Sequence, residues 1–143
     1  MSSSYISRAL RRQIIRDFRG RCAYCQTATA ITGARLVIDH ILPESAGGVT
    51  EQDNLCLACH SCNEFKGAKT TETDPETGAS VALYHPRRDR WPKHFRWSEG
   101  GAYIIGRTPT GRATVLALNM NHFEIVEARR RWVQIGWHPP SLE

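Results

Sequence analysis

Four of the five cysteines in this chain fall into two pairs with the same spacing. Two residues separate Cys22 from Cys25, and two separate Cys59 from Cys62. A tight turn between paired cysteines lets both thiolates bind one ion, and two such pairs complete the tetrahedral coordination that zinc prefers. The spacing therefore predicts a structural site that holds Zn2+ with all four thiolates.

The fifth cysteine, Cys56, allows two other interpretations of the second pair. Together with Cys59 and His60 it forms the Cys-x-x-Cys-His signature of covalent haem attachment. That chemistry normally needs export, for which we expect no signal peptide here, and it would leave the first cysteine pair unexplained. The other interpretation pairs Cys56 with Cys59 and leaves Cys62 free. The cysteine spacing alone does not separate the two zinc-binding sets.

The region between the cysteine pairs carries further groups suited to chemistry. These are the run Asp39-His40-Ile41-x-Pro43 and the residue Asn54, while Asn63 directly follows the second pair. This order resembles the HNH endonucleases, whose core is a ββα-metal finger. In that family two strands carry the Asp-His and the middle Asn, and a helix carries the third motif residue. In its zinc-bearing branch the second cysteine pair typically begins five residues after the middle Asn, which here is Cys59.

One position departs from the commonest family pattern. Asn63 stands where many HNH endonucleases have His, so the motif is an H-N-N variant. Phage resolvases similar to endonuclease VII also combine four cysteines with Asp-His and a final Asn. The departure is therefore compatible with an active nuclease.

The resemblance implies a role for each motif residue. His40 is expected to be the general base, because a histidine with an ordinary pKa of about 6.5 can take a proton from water near neutral pH. Asp39 and Asn63 are expected to give oxygen ligands to a catalytic cation, for which Mg2+ or Mn2+ is better suited than zinc. Asn54 is expected to brace the loop that orients His40. Adjacent strand residues face opposite sides, so Asp39 would need a bend in the strand to join His40.

The charge balance favours a nucleic-acid partner. Nineteen Lys and Arg against 14 Asp and Glu give a net charge of +5. Arginines are concentrated near the N-terminus, and we expect Arg8, Arg12 and Arg16 to contact the nucleic acid. Lys66, three residues beyond Asn63, is expected to meet a phosphate. DNA is the partner that the resemblance implies, with RNA as the alternative.

The elements that position these residues follow from hydrophobic periodicity. Apolar residues at four-residue steps predict a basic amphipathic helix over 6–19, which Gly20 ends. Branched residues predict a strand over 35–40, and a short helix is expected over 62–67. Together they form the predicted nuclease core of residues 1–70. Residues 71–80 are acidic and rich in turn formers, which predicts a connector.

Residues 81–143 predict a small α+β extension. Strands are expected at 81–85, 102–106 and 113–118, and an amphipathic helix at 123–135 with Asn119 or Asn121 as its cap. We expect the extension to pack on the nuclease core and extend its basic groove. The predicted fold class is α+β: a ββα-metal core with a four-cysteine zinc site, an N-terminal basic helix and this extension.

The sequence thus predicts a metal-dependent HNH endonuclease that hydrolyses DNA phosphodiester bonds. It is expected to act in the cytoplasm, away from membranes, as a monomer or homodimer. The alternative is a zinc-stabilised nucleic-acid-binding module without catalysis. His40 beside Asp39 argues against that alternative, since binding alone has no need of a base.

Overall fold

The computed structural model describes residues 5–141, which form two compact units. The first unit contains the chain up to Thr70 together with His85–Arg88. Its elements are α1 (Arg8–Asp17), α2 (Thr29–Thr32), β1 (Val37–His40), β2 (Leu55–Ala58) and α3 (His60–Lys66). The second unit contains Thr71–Tyr84 and the chain from Asp89 onward. Its elements are β3 (Thr71–Thr73), β4 (Ser80–Ala82), α4 (Trp91–His94), β5 (Phe95–Ser98), β6 (Tyr103–Gly106), α5 (Pro109–Ala117) and α6 (Phe123–Gln134).

The basic helix α1 is present, as the periodicity predicts. Ser7 begins it, since the Ser7 hydroxyl accepts a hydrogen bond from the Leu10 amide at 3.0 Å. The apolar face of α1 is buried on β2, where Ile14 packs with Leu36, Leu55 and Leu57. This small core fixes the strands that carry the motif residues.

Strands β1 and β2 pair antiparallel, with Asp39 opposite Cys56 and His40 opposite Leu55. Adjacent residues of a strand face opposite sides of a sheet. Asp39 therefore shares a face with Cys56, while His40 is the last residue of β1 and shares a face with Leu55. Helix α3 follows β2 directly after Cys59, whose sulfur accepts a hydrogen bond from the Cys62 amide at 3.4 Å. The order strand, strand, helix is the ββα arrangement.

The second unit corrects two expectations and adds to a third. Residues 71–80, predicted as a connector, also contain regular structure, because β3 pairs with β4 in a hairpin around Asp74. Buried Asp74 accepts two hydrogen bonds of 2.9 Å from Arg112. Residues 113–117 are helical and Leu118 caps the end of that helix, so this run is not a strand, because Thr108 caps the start of α5 and Pro109 begins it.

The cap of α6 is the second correction. His122 begins this helix, and not Asn119 or Asn121. The Asn121 amide is used elsewhere: it accepts from the Ile104 amide and donates to the Ile104 carbonyl, both at 2.9 Å. It thereby ties the segment before α6 to β6.

The predicted fold class is confirmed. The fold is mixed α+β with small two-stranded sheets and a four-cysteine cluster. Within residues 5–141, no helix combines the length and the apolar character needed to cross a membrane.

Candidate active site and metal centre

The four paired cysteines converge on one point. The sulfur atoms of Cys22, Cys25, Cys59 and Cys62 all lie within 4.8 Å of one another. The Cys25 and Cys59 sulfurs, which come from different pairs, are 3.7 Å apart. Sulfurs that share a zinc ion at about 2.3 Å in a tetrahedron lie about 3.8 Å from each other. The cluster is therefore consistent with a structural zinc site.

The four thiols are in mutual contact, and their pKa values shift in opposite directions. Burial raises the pKa of Cys22 and hydrogen bonds from the other thiols raise that of Cys62, while the pKa values of Cys25 and Cys59 are lowered. Hydrogen bonds from Cys22, and then from the other two thiols, hold the pKa of Cys25 well below its usual value. Cys25 thus favours the thiolate, which is the form that binds metal ions. Backbone amides at each turn donate to a sulfur, with Cys25 N to Cys22 Sγ at 3.4 Å as one instance.

Cys56 lies outside this group and has a different environment. It is fully buried on β2, with its sulfur 3.6 Å from the Tyr24 hydroxyl and 3.7 Å from Asp39 Oδ2. Burial, with the Asp39 carboxylate as the next cause, raises the pKa of the Cys56 thiol. Its sulfur is not among the four that lie within 4.8 Å of one another. Of the two possible second pairs, the structure therefore brings Cys59 and Cys62 to the first pair.

Asp39 lies in the interior of the first unit, only 5% exposed. The Tyr24 hydroxyl donates a 2.8 Å hydrogen bond to Asp39 Oδ2. Lys66 Nζ is 3.2 Å from the same oxygen and 3.4 Å from Asp39 Oδ1. Tyr24 stands between the two cysteines of the first pair, so the turn that brings those thiols together also places its hydroxyl on Asp39.

Lys66 is 2% exposed, and its ammonium donates a 3.0 Å hydrogen bond to the His40 carbonyl as well as contacting Asp39. The sequence predicted that this lysine meets a phosphate. In this structure the ammonium faces the interior, because a buried carboxylate is costly unless a positive charge pairs with it. A phosphate contact stays a prediction that requires the side chain to leave Asp39.

His40 is half-buried at the end of β1, and its Nε2 lies 2.9 Å from the Thr50 hydroxyl oxygen. Either group can donate in this hydrogen bond, depending on the histidine tautomer. Sequence reasoning did not identify Thr50. The available signal was a polar residue in the Gly-Gly-containing loop that closes back on the Asp-His motif.

Asn54 joins both ends of that loop through its side-chain amide. Its Oδ1 accepts from the Leu42 amide at 2.8 Å, and its Nδ2 donates to the carbonyls of Leu42 at 3.0 Å and Val49 at 2.9 Å. The loop passes so close to itself that a Cβ on Gly48 would sit 1.7 Å from the Leu42 carbonyl oxygen. Asn54 and Gly48 together set the path of the segment that carries Thr50 to His40.

Asn63 lies in the middle of α3, one helical turn before Lys66. The two side chains therefore project from the same side of the helix. Among the described residues, the Asn63 side-chain amide makes no hydrogen bond, so its oxygen is available to a ligand.

Three of the four predicted nucleic-acid contacts lie on α1, and the fourth, Lys66, lies on α3. Arg8, Arg12 and Arg16 are exposed and recur every four residues, which aligns them along one face of the helix. The net charge of the chain is confined to this unit: its eleven Lys and Arg exceed its six Asp and Glu by five, out of a total of +5, while the second unit has equal numbers. The basic surface is thus a property of the unit that holds the motif.

Comparison with known proteins agrees with this geometry. Residues 22–75 match the model of the HNH endonuclease family, and this stretch includes both cysteine pairs, Asp39, His40 and both motif asparagines. Residues 22–75 are an HNH endonuclease domain. The chain is also 38% identical over 79 residues to the CRISPR-associated endonuclease Cas9 of Corynebacterium diphtheriae.

The likeness to Cas9 is partial. It covers 50% of this chain and 7% of Cas9, so the chain spans a small fraction of the length of that relative. No solved structure matches the chain. The HNH domain is therefore the part of this protein that the comparisons characterise.

Proposed function

We propose that this protein is a metal-dependent endonuclease that hydrolyses DNA phosphodiester bonds. The observation that carries the proposal is the position of Asp39 and His40, side by side at the end of β1 and next to α3, inside a segment that matches the HNH endonuclease family. A buried carboxylate, a half-buried imidazole and a helix with a free amide are the groups that metal-assisted hydrolysis needs.

His40 acts as the general base in this proposal. When Nε2–H donates to Thr50, the tautomer is fixed with Nδ1 unprotonated, and Nδ1 receives the proton of the attacking water. Asn54 keeps the loop closed, so that Thr50 stays within hydrogen-bond distance of His40. Both residues then act through His40 and not on the substrate.

Two different ions fit the residues of the HNH domain. Zn2+ would be held by the four clustered thiols and would fix the turn that carries Tyr24. A hard divalent cation such as Mg2+ or Mn2+ would be held by the oxygens of Asp39 and Asn63. The fit is supported by the oxygen atoms around the Lys66 ammonium, since two carboxylate oxygens and a backbone carbonyl already surround a positive charge there. When bound, this cation neutralises negative charge on the phosphate and on the leaving oxygen.

DNA binding is assigned to the first unit. The arginines of α1 supply an exposed row of positive charges, and phosphate contacts of this kind give affinity without sequence preference. The neutral balance of the second unit does not favour it as an extension of that basic surface.

Cleavage of supercoiled plasmid with added Mg2+ or Mn2+ tests the proposal. Wild-type protein is expected to relax and linearise the plasmid, and His40→Ala to lose this activity while it keeps DNA affinity and folded helix content. The matched control is His60→Ala, since His60 is exposed on α3. Cleavage that survives His40→Ala would remove His40 from the mechanism.

One observation favours a zinc-stabilised DNA-binding module as the second candidate function. The Lys66 ammonium already balances the charge of Asp39, so this buried carboxylate is neutralised without a catalytic cation. DNA binding without cleavage under every divalent ion tried would favour this candidate.

A further inference from the structure

The Lys66 ammonium fills the space beside the Asp39 carboxylate. It contacts three oxygen atoms at 3.0 to 3.4 Å, namely both carboxylate oxygens and the His40 carbonyl oxygen. Lys66 and Asp39 are both almost fully shielded from water. Their opposite charges are therefore weakly screened, and each charge depends on the other.

A second positive charge cannot share this position at low cost. A divalent cation that binds Asp39 would lie within a few ångströms of the ammonium, and like charges at that distance in a shielded site repel strongly. The carboxylate can be neutralised by the lysine or by the cation. The hydroxyl of Tyr24 is uncharged and can keep its hydrogen bond to Asp39 Oδ2 in both cases.

We propose that Lys66 and a divalent cation bind Asp39 in exchange for each other, so that cation binding releases the Lys66 ammonium. This proposal rests on the proposed function, because it takes Asp39 as a ligand of the catalytic cation. The released side chain extends from the same side of α3 as Asn63, where a phosphate held by the cation would lie. A lysine that neutralises Asp39 thereby becomes a phosphate contact once the cation is bound.

The affinity of the protein for a divalent cation, measured in the absence of DNA, tests the exchange directly. The zinc-loaded full chain is titrated with Mn2+, and the free ion is counted by its electron paramagnetic resonance signal. Lys66→Met removes the competing charge and keeps the length of the side chain, so the Mn2+ dissociation constant is expected to fall at least about fivefold, the lower end of typical coupling between ligands. Lys69→Met is the matched control, since Lys69 is exposed and loses the same charge. Its dissociation constant should stay within about twofold of wild type.

Asp39→Asn separates this proposal from the proposed function. If wild type binds Mn2+ and Asp39→Asn does not, Asp39 is a cation ligand. An unchanged dissociation constant in folded Lys66→Met would then overturn the exchange alone. If Mn2+ binds equally well to wild type and Asp39→Asn, or to neither, the cation site of the proposed function fails and the exchange fails with it.

A measurement on wild type keeps the test valid if Lys66→Met does not fold. Lysine ammonium groups are observed by proton–nitrogen NMR when hydrogen bonding protects them from exchange with water. Lys66 is expected to give such a protected signal in the absence of Mg2+, and saturating Mg2+ should remove or strongly shift it. A Lys66 signal that is unchanged when Mg2+ saturates Asp39 would overturn the proposal.

Discussion

At the scale of single residues, the site is defined by three side chains that act on the Asp-His motif from distant positions. Tyr24 donates to Asp39, Lys66 pairs with the same carboxylate, and Thr50 meets His40. Strand alternation sends Asp39 and His40 to opposite faces of the sheet, so each needs its own partners. The register of β1 with β2 is regular through His40, and a bend that would bring the two side chains to one site stays a prediction.

The hydrogen bond between Thr50 and His40 gives a prediction at this scale. Thr50→Val keeps the shape of the side chain and removes the hydroxyl, so His40 loses the group that fixes its ring and tautomer. The turnover number for plasmid cleavage is expected to fall roughly 10- to 100-fold, since small misplacements of a catalytic group have effects of this size. The Michaelis constant for DNA should stay close to that of wild type, because Thr50 does not bind the substrate in this proposal.

Thr50→Ser is the matched control for this prediction. It keeps a hydroxyl at the same position and should restore most of the turnover number and the wild-type pH profile. If Ser and Val at this position reduce cleavage equally, the loss comes from packing in the loop, and Thr50 does not position His40.

At the scale of elements, local patterns predicted part of the structure. The four-residue spacing of apolar side chains identified α1 and α6, and the branched run before His40 identified β1. The same reasoning failed at residues 113–118. There the run Ala-Thr-Val-Leu-Ala-Leu suits a strand, but the start signal Thr108-Pro109 directs the chain into α5.

The contacts that build the site are not local. Asp39 and Lys66 are 27 residues apart, and Tyr24 and Asp39 are 15 residues apart. A single sequence indicates which residue types are present, but the pairing of β1 with β2 and the position of α3 decide which of them meet. The cysteine quartet was predictable because repeated spacing encodes a long-range contact.

The two cysteine turns give a prediction for the elements that they join. Cys56→Ser should keep zinc, since this sulfur lies away from the cluster, while Cys62→Ser should lose it. Without zinc, the turn at Cys22 to Cys25 and the start of α3 lose their common anchor, and Tyr24 loses its fixed position on Asp39. Metal content by mass spectrometry and amide hydrogen exchange at α3 check both variants. Zinc loss from a folded Cys56→Ser protein would show that Cys56 is a zinc ligand and that the pair Cys59 and Cys62 is wrong.

At the scale of the whole molecule, the unit that contains the HNH domain is not a continuous segment. It includes His85–Arg88, which follow residues of the second unit in the chain. Arg87 explains why this short piece belongs there. Its Nη2 is 2.8 Å from Asp17 Oδ2, its Nε donates to the Leu55 carbonyl at 2.8 Å, and its guanidinium lies 4.9 Å from the centre of the Phe18 ring.

Burial tends to raise the pKa of Asp17, but the hydrogen bonds from Arg87, Gln13 and Gln52 outweigh it, so the net pKa is lowered and the carboxylate stays charged.

Arg87 therefore links the end of α1 to the start of β2, at the residue that pairs with His40. Arg87→Met in the full chain removes both hydrogen bonds and leaves Asp17 without its cation. We expect a loss of about 1–2 kcal/mol in the stability of the first unit, near the value for hydrogen bonds to charged groups after allowance for partial exposure. Amide hydrogen exchange resolves the two units: protection should fall in β1 and β2 and stay unchanged in β5 and β6. Arg88→Met removes the same charge from an exposed neighbour and should leave the protection of both units unchanged.

Equal loss of protection in both units would show that Arg87 stabilises the protein in another way. If only the first unit loses protection, then His85–Arg88 are a working part of the nuclease unit. A protein that ends at about residue 72 would lack these residues. A fall in its DNA cleavage would therefore not show a role for the second unit.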